Sequence, residues 1–295
     1  MAVCNICPRN CNVDRSEKTG FCSMTDTVKI SRAALHMWEE PCVSGENGSG
    51  TVFFSGCNMK CVFCQNKDIS TGGFGKEITV ERLSDIFLEL QGKGALNINL
   101  VTPTHYTLQI IDAVKMARAK GLKLPIVYNT SSYEKVETIK MLEDIVDVWL
   151  PDFKYMDNAV AQKYSKAADY VNCATAAIDE MVRQQPECVF DDDGIIQKGV
   201  IVRHLVLPGQ VQGAKDAVEY LFNRYGDNIF ISIMSQYTPC TDLSAYPEIN
   251  RKLTQQEYDD VVDYAVEIGV ENGFLQEGES ASESFIPPFD LEGVE

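Results

Sequence analysis

From residue 51 onward the chain alternates between short apolar runs rich in β-formers and longer stretches with apolar residues at helical spacing. The strand candidates are TVFF (51–54), NINLV (97–101), LPIVYN (124–129), VDVWLPD (146–152), VIVRHLVLPG (200–209) and NIFISIM (228–234). The stretches VERLSDIFLELQ, YTLQIIDAVKMARAKG, YEKVETIKMLED, AVAQKYSKAADYVNCATAAIDEMVRQQ, AKDAVEYLFNRYG and TQQEYDDVVDYAVEIG read as amphipathic helices. Repeated β-α units predict a parallel sheet with helices outside, and right-handed crossovers curl it toward a barrel. Eight units close a barrel; six leave it open on one side. The expected fold is therefore α/β, a partial (β/α)6 TIM-type barrel over residues 51–273. A small Cys-rich N-terminal knuckle and linker (1–50) precede it, and an irregular C-terminal tail (274–295) follows. Asp193-Gly194 between apolar flanks predicts a hairpin turn before the fifth strand.

Composition narrows the class. A net charge of -17, from 26 basic and 43 acidic residues, leaves no basic excess to neutralise phosphates and argues against nucleic acid as a partner. No apolar run approaches the roughly 20 residues of a membrane-spanning helix, so no membrane association is expected. Eleven cysteines would mean disulfides in a secreted protein, but no signal-peptide pattern precedes them and a reducing cytoplasm fits better.

Seven of those cysteines fall in two tight groups. Cys4, Cys7, Cys11 and Cys22 form C-x2-C-x3-C-x10-C among turn residues, a closed four-thiol set that suits either zinc or a second iron–sulfur cluster. Cys57, Cys61 and Cys64 follow the first strand as C-x3-C-x2-C. Three ligands leave one iron of a 4Fe-4S cube without a protein donor, and an open metal position is where a substrate binds. The spacing alone leaves a zinc knuckle as the alternative. His36, Glu39, Glu40 and Cys42, in the linker, are further candidate ligands, though linker charges and a packed histidine are commoner. The glycine-rich STGGFGKE lacks the spacing of a Walker A loop.

CNMKCVFC, with Phe63 beside its last cysteine, resembles the signature loop of the radical S-adenosylmethionine (SAM) superfamily. CPRNC, EEPCVSG, CVFCQN, VTPTH, LPDFKY and MSQYTP resemble the uncharacterised iron–sulfur proteins related to pyruvate formate-lyase activating enzymes. The resemblance implies a 4Fe-4S cluster on Cys57, Cys61 and Cys64, and reductive cleavage of SAM to a 5'-deoxyadenosyl radical that abstracts hydrogen. It places cofactor contacts at strand ends, where barrel enzymes work: Phe63, Thr102 or Thr104 for the methionyl amine, Asn129 and Thr130, Asp152 and Lys154, Arg203, and Gln236. VTPTH departs from the usual glycine-rich GGE-like motif, and Gln236 stands near the place of an adenosine-contacting histidine. Asp-x-Lys puts Asp152 and Lys154 on one strand face, free to bind cofactor or to pair with each other. His204 falls on the other face, and His105 and Cys240 lie near strand ends without an assigned role.

The resemblance implies a radical activase that acts on a glycyl-radical-type partner enzyme. Flavodoxin or ferredoxin would donate the electron, in an anaerobic cytoplasm. Radical modification of a small molecule or another protein is the second expectation. A non-catalytic iron–sulfur electron carrier is the third, and it would have no use for Asp152 and Lys154 beside an open iron. Because hydrogen abstraction needs reacting atoms roughly 3–3.5 Å apart, the substrate must enter the barrel. The open side of six units favours a polypeptide loop, with the acidic tail as a substitute lid.

Overall fold

A computed structural model describes residues 3–276 and 287–295. After an N-terminal knuckle come β1 (Val28–His36), α1 (Pro41–Ser44), β2 (Ser49–Phe54), α2 (Lys67–Ser70) and β3 (Lys76–Ile78). Then follow α3 (Val80–Gly92), β4 (Ile98–Val101), α4 (Thr107–Ala119), β5 (Ile126–Thr130), α5 (Val136–Met141) and β6 (Val148–Pro151). The second half holds α6 (Asn158–Ser165), α7 (Tyr170–Gln184), β7 (Val189–Phe190), β8 (Ile196–Leu205), α8 (Val211–Tyr225), β9 (Phe230–Met234), α9 (Gln255–Glu267) and β10 (Gly273–Leu275).

The strands run in the order β10-β9-β8-β6-β5-β4-β2-β1-β3, and β2 through β10 along this path pair in parallel. The six strands expected from the apolar runs are all present, the sheet is mostly parallel, and it does not close. Three features lie beyond that expectation. β1 and β3 add an antiparallel edge beyond β2, and β10, at the start of the stretch expected as tail, extends the other end in parallel. Residues 287–295 dock on β1: Leu291 N–H donates to Ser31 O at 3.0 Å, Ala33 N–H to Glu292 O at 2.8 Å, and Val294 is buried. Of the tail expected as a lid (274–295), residues 277–286 lie outside the described residues.

Alternation along the strands sorts side chains between two faces. Ile98 and Leu100 turn outward to a large core with Leu83, Ile86, Ile110 and Val114 from α3 and α4. Val127, Val148, Leu150 and Ile201 turn to the concave face, where they pack on Cys42 and Val43 of α1. Asn97 holds the Val43 carbonyl at 2.7 Å from the same face. The stretch read as a linker thus fills the lower part of the inner face, and the working space is confined to the strand C-terminal ends. Asp191–Gly194 turns β7 back into β8, with Gly194 N–H donating to Asp191 O at 3.0 Å.

Candidate active site

The cysteine loop leaves β2 through Ser55 and Gly56. At Gly56, φ is 87° and an added Cβ would lie 2.3 Å from Met24 Cγ and 2.8 Å from Cys22 O, so only glycine fits. Cys57, Cys61 and Cys64 are half-buried, and their open side lines a cavity of about 230 Å3 at the strand ends. Each sulfur receives a polar neighbour: Met59 N–H at 3.4 Å on Cys57, the Ser165 hydroxyl at 2.9 Å on Cys61, and the Ser70 hydroxyl 3.3 Å from Cys64. Burial pushes the Cys57 thiol up to about 12 and Cys64 to about 11, and each is opposed further by its neighbouring thiols. Such thiols ionise on binding metal, releasing protons as they do.

Of the residues singled out in the sequence, Phe63, Thr102, Asn129, Thr130, Asp152, Lys154, Arg203 and Gln236 line the same cavity as the three cysteines. Thr102 holds a positive φ of 60°, uncommon for a β-branched residue. Thr104 does not reach the cavity; it is buried and donates to Glu134 Oε1 at 2.5 Å. Thr130 donates to the same oxygen at 2.7 Å, and burial pushes the Glu134 carboxyl up to about 7.

Lys154 Nζ donates to Asp152 at 2.6 Å, and Arg203 Nε donates to the other Asp152 oxygen at 2.8 Å. Burial alone would raise the Asp152 carboxyl, but the two cations hold it below its usual range. Arg203 also donates to Asn129 Oδ1 at 2.6 Å and to Glu39 Oε2 at 3.1 Å. Asn99 holds the other Glu39 oxygen at 2.9 Å. Glu39, with Trp38 and Met234, therefore belongs to the cavity wall. Glu39 and Met234 open the EEPCVSG and MSQYTP stretches, yet the sequence pointed to Glu39 only as a candidate metal ligand or linker charge and gave Trp38 and Met234 no role.

The remaining candidates separate. His36 lines the cavity edge with its ring 6.0 Å from Phe53. His105 is buried with Nε2 2.7 Å from Ser55 O, and His204 is buried with Nδ1 2.6 Å from Phe153 O. Cys42 is in the inner-face core. Cys240 is exposed, its Sγ 3.9 Å from Cys64 O. None of the cysteines is in a disulfide. Among the described residues no three Cys, His, Asp or Glu side chains are pre-arranged on a metal ion. That applies to His36, Glu39, Glu40 and Cys42, to the core triad and to the knuckle.

Residues 51–210 match the model of the family described as the radical SAM superfamily. The chain belongs to the radical SAM superfamily. An uncharacterized protein of Methanocaldococcus jannaschii is 30% identical over 89% of this chain and 74% of its own. A pyruvate formate-lyase-activating enzyme of Clostridium pasteurianum is 28% identical over 39% of this chain and 50% of its own. Among solved structures, HydG, a maturase of the FeFe-hydrogenase, gives a TM-score of 0.52 at 14% identity, over 78% of this chain and 52% of that one. Streptococcus suis SuiB bound to its precursor peptide SuiA gives 0.50 at 13% identity, over 76% and 47%. The chain thus spans about half the length of these two solved structures, and at such identity they bear on the fold alone.

Radical SAM membership implies a 4Fe-4S cluster and SAM. The residues present fit both. Three thiols face one cavity with polar N–H and O–H groups against their sulfurs, and hydrogen bonds to the sulfurs tune the potential of such clusters. Lys154 and Asp152, beside Cys61, offer a cation and an acceptor to a ligand that carries both an ammonium and a carboxylate. No helix among the described residues is long and apolar enough to cross a membrane.

Proposed function

We propose that this radical SAM enzyme cleaves SAM reductively at a 4Fe-4S cluster on Cys57, Cys61 and Cys64, to give a 5'-deoxyadenosyl radical that takes hydrogen from a partner protein of the glycyl-radical type. The observation that carries the reading is the three-thiol loop open to the Lys154–Asp152 pair across one cavity. Three protein donors leave one cluster position for SAM to fill. Lys154 and Asp152 are the groups proposed to meet its carboxylate and its amine or ribose protons, with Thr102, Asn129, Thr130 and Gln236 around them and Phe63 packed on Tyr237, ring centroids 5.8 Å apart. Arg203 takes part by holding Asp152 in place. The knuckle cysteines Cys4, Cys7, Cys11 and Cys22 are proposed as a second, closed site for zinc or an auxiliary cluster. A flavodoxin or ferredoxin donor and an anaerobic cytoplasmic setting complete the reading. The likeness to a pyruvate formate-lyase-activating enzyme supports the protein substrate.

The filled inner face favours a second reading. Since α1 occupies the space beneath the cavity, the room left at the strand ends suits a small molecule or a short loop tip better than a deeply inserted segment. Anaerobically reconstituted protein with reductant should convert SAM to 5'-deoxyadenosine, and Ala at any of Cys57, Cys61 or Cys64 should abolish this. Unchanged turnover in those variants would sink the reading. A glycine-centred doublet in the electron paramagnetic resonance (EPR) spectrum of a co-incubated glycyl-radical enzyme supports the activase. Partner-independent turnover of a metabolite moves the assignment to small-molecule chemistry.

A further inference from the structure

The N-terminal segment that carries Cys4, Cys7, Cys11 and Cys22 folds by backbone turns rather than by regular structure. Asn10 N–H donates to Cys7 O at 3.2 Å, Asn12 N–H to Cys4 O at 3.1 Å and Ser23 N–H to Gly20 O at 2.9 Å. Asn10 and Asn12 both hold positive φ, 44° and 52°, a conformation asparagine tolerates better than most residues. At Gly20 an added Cβ would stand 3.3 Å from Cys11 Sγ and 3.7 Å from Cys22 Sγ, so thiols from both turns share one small space. Phe21 N–H donates to Cys11 Sγ at 3.2 Å. Cys4 and Cys11 lie within electrostatic range of both Cys7 and Cys22.

Between Cys7 and Cys11 stands Arg9, whose side chain leaves the knuckle for the catalytic loop. Its guanidinium lies 3.9 Å from the Phe21 ring centroid and 4.8 Å from that of Tyr133. It donates to Asn58 O at 2.7 Å, Lys166 O at 2.5 Å and Ser165 O at 3.4 Å. Asn58 follows Cys57, and Ser165 is the residue whose hydroxyl meets Cys61 Sγ. A single side chain thus ties the knuckle to the surroundings of two of the three core thiols. Lys60, inside the loop, reaches back to Ser23 Oγ at 3.3 Å and lies 4.8 Å from the Phe21 ring.

We propose that Cys4, Cys7, Cys11 and Cys22 close around a four-thiolate metal centre, and that this centre fixes the catalytic loop through Arg9. The inference rests on the reading of Cys57, Cys61 and Cys64 as the cluster site. A closed tetrathiolate site contributes folding energy outright, which a segment made of turns needs. Four donors leave no open position, so the centre takes no substrate. Arg9 is a positioning residue: it touches the loop's carbonyls, and the centre on either side of it in sequence holds its backbone still.

The test uses the full chain, reconstituted without oxygen, with zinc, iron and sulfide measured per chain and EPR spectra of the reduced cluster recorded with and without SAM. A variant with Cys57, Cys61 and Cys64 all replaced by Ala should retain zinc, or iron with sulfide, at the knuckle. Replacing Cys4 and Cys7 by Ala should remove it. Arg9→Gln should keep both sets of metal, yet alter the SAM-induced change in the spectrum and weaken SAM binding about tenfold, roughly the worth of a hydrogen bond to a charged group. Arg9→Lys keeps the charge without the fork that spans three carbonyls and should recover only part of the loss. A triple variant free of metal overturns the centre. Arg9→Gln with the parent's spectrum and SAM affinity overturns the coupling, and either result leaves the catalytic reading standing if the parent still makes 5'-deoxyadenosine. A parent without a 4Fe-4S signal, beside a triple variant that keeps its metal, removes the catalytic reading and with it the role of Arg9, while the knuckle centre survives.

Discussion

Arg203 donates to Asp152, Asn129 and Glu39 at once from a largely buried position, so its fork is already committed inside the protein. Removing one partner from a buried charge network strands the others, at a cost of about 3–5 kcal/mol. Arg203→Met should therefore lose about 3 kcal/mol or more in anaerobic denaturant titration, while iron and sulfide on the core cysteines stay at the parent level. A variant of full stability and impaired SAM binding would instead make Arg203 a direct ligand. The sequence marked Arg203, Asp152 and Lys154 because all three fall at strand ends, where the pattern of alternation fixes both depth and face. It could not separate Thr102 from Thr104. That distinction depends on the backbone turning through φ 60° at Thr102, after which Thr104 points back to Glu134. The place of Glu39 in the cavity wall was hidden for a similar reason: its partners Asn99 and Arg203 are 60 and 164 residues away.

At the level of elements, the segment from Trp38 to Ser44 departs furthest from its local pattern. Pro41 and the glycines at 45, 48 and 50 read as a linker, yet Val43 is fully buried on the inner face with Val127, Val148, Leu150 and Ile201. If the segment were only a linker, shortening Val43 would be almost neutral. As a core element, Val43→Ala should cost about 1–2 kcal/mol, by analogy with other losses of buried methyl groups, seen as a lowered melting temperature. A change within error would show that the segment is dispensable to the core. The long apolar-periodic run 159–185 also breaks, into α6 and α7. No glycine or proline marks the break; Lys166 ends α6 in the left-handed region at φ 54°. The turn is held from outside, by Arg9 on the Lys166 carbonyl and by Val62 N–H on the Tyr164 carbonyl at 2.8 Å. The helix stops where the cysteine loop docks on it. β1 escaped detection because it is buried on both faces along much of its length, so VKISRAALH shows no clean alternation.

For the molecule as a whole, the parallel half-barrel was legible because each β-α unit carries its own periodicity, whereas the edges formed by β1, β3 and residues 287–295 depend on contacts remote in sequence. Burial of titratable groups throughout the fold gives it a definite response to acid. The three histidines are all held low: burial brings His36 and His204 to about 4 and His105 to about 3. A base whose folded pKa is depressed stabilises the fold above its unfolded value, near 6.5, and that stability is lost as pH falls toward the folded pKa. Glu134, raised by burial to about 7, and Glu40, raised by burial, act in the opposite sense. Each keeps its proton in the fold at pH values where the unfolded chain has released it; Glu134 adds stability as pH falls from about 7 to 4.5, and Glu40 acts in the same direction. Asp147 is raised by burial too, while Asp152, Glu248 and Glu257, held low by their cationic partners, side with the three histidines, so the balance lies with proton uptake by the unfolded state. Stability should therefore decline gently from pH 6.5 to 4.5, before most exposed carboxylates protonate. His204→Gln removes one histidine from the balance. It should lower stability at neutral pH by losing a well-placed hydrogen bond to Phe153 O, yet flatten the decline, so that the gap between variant and parent narrows from pH 7 to pH 5 in anaerobic thermal melts. A gap that stays constant over that range would mean that His204 takes up its proton inside the fold as readily as outside it, and that its burial has no part in the response to acid.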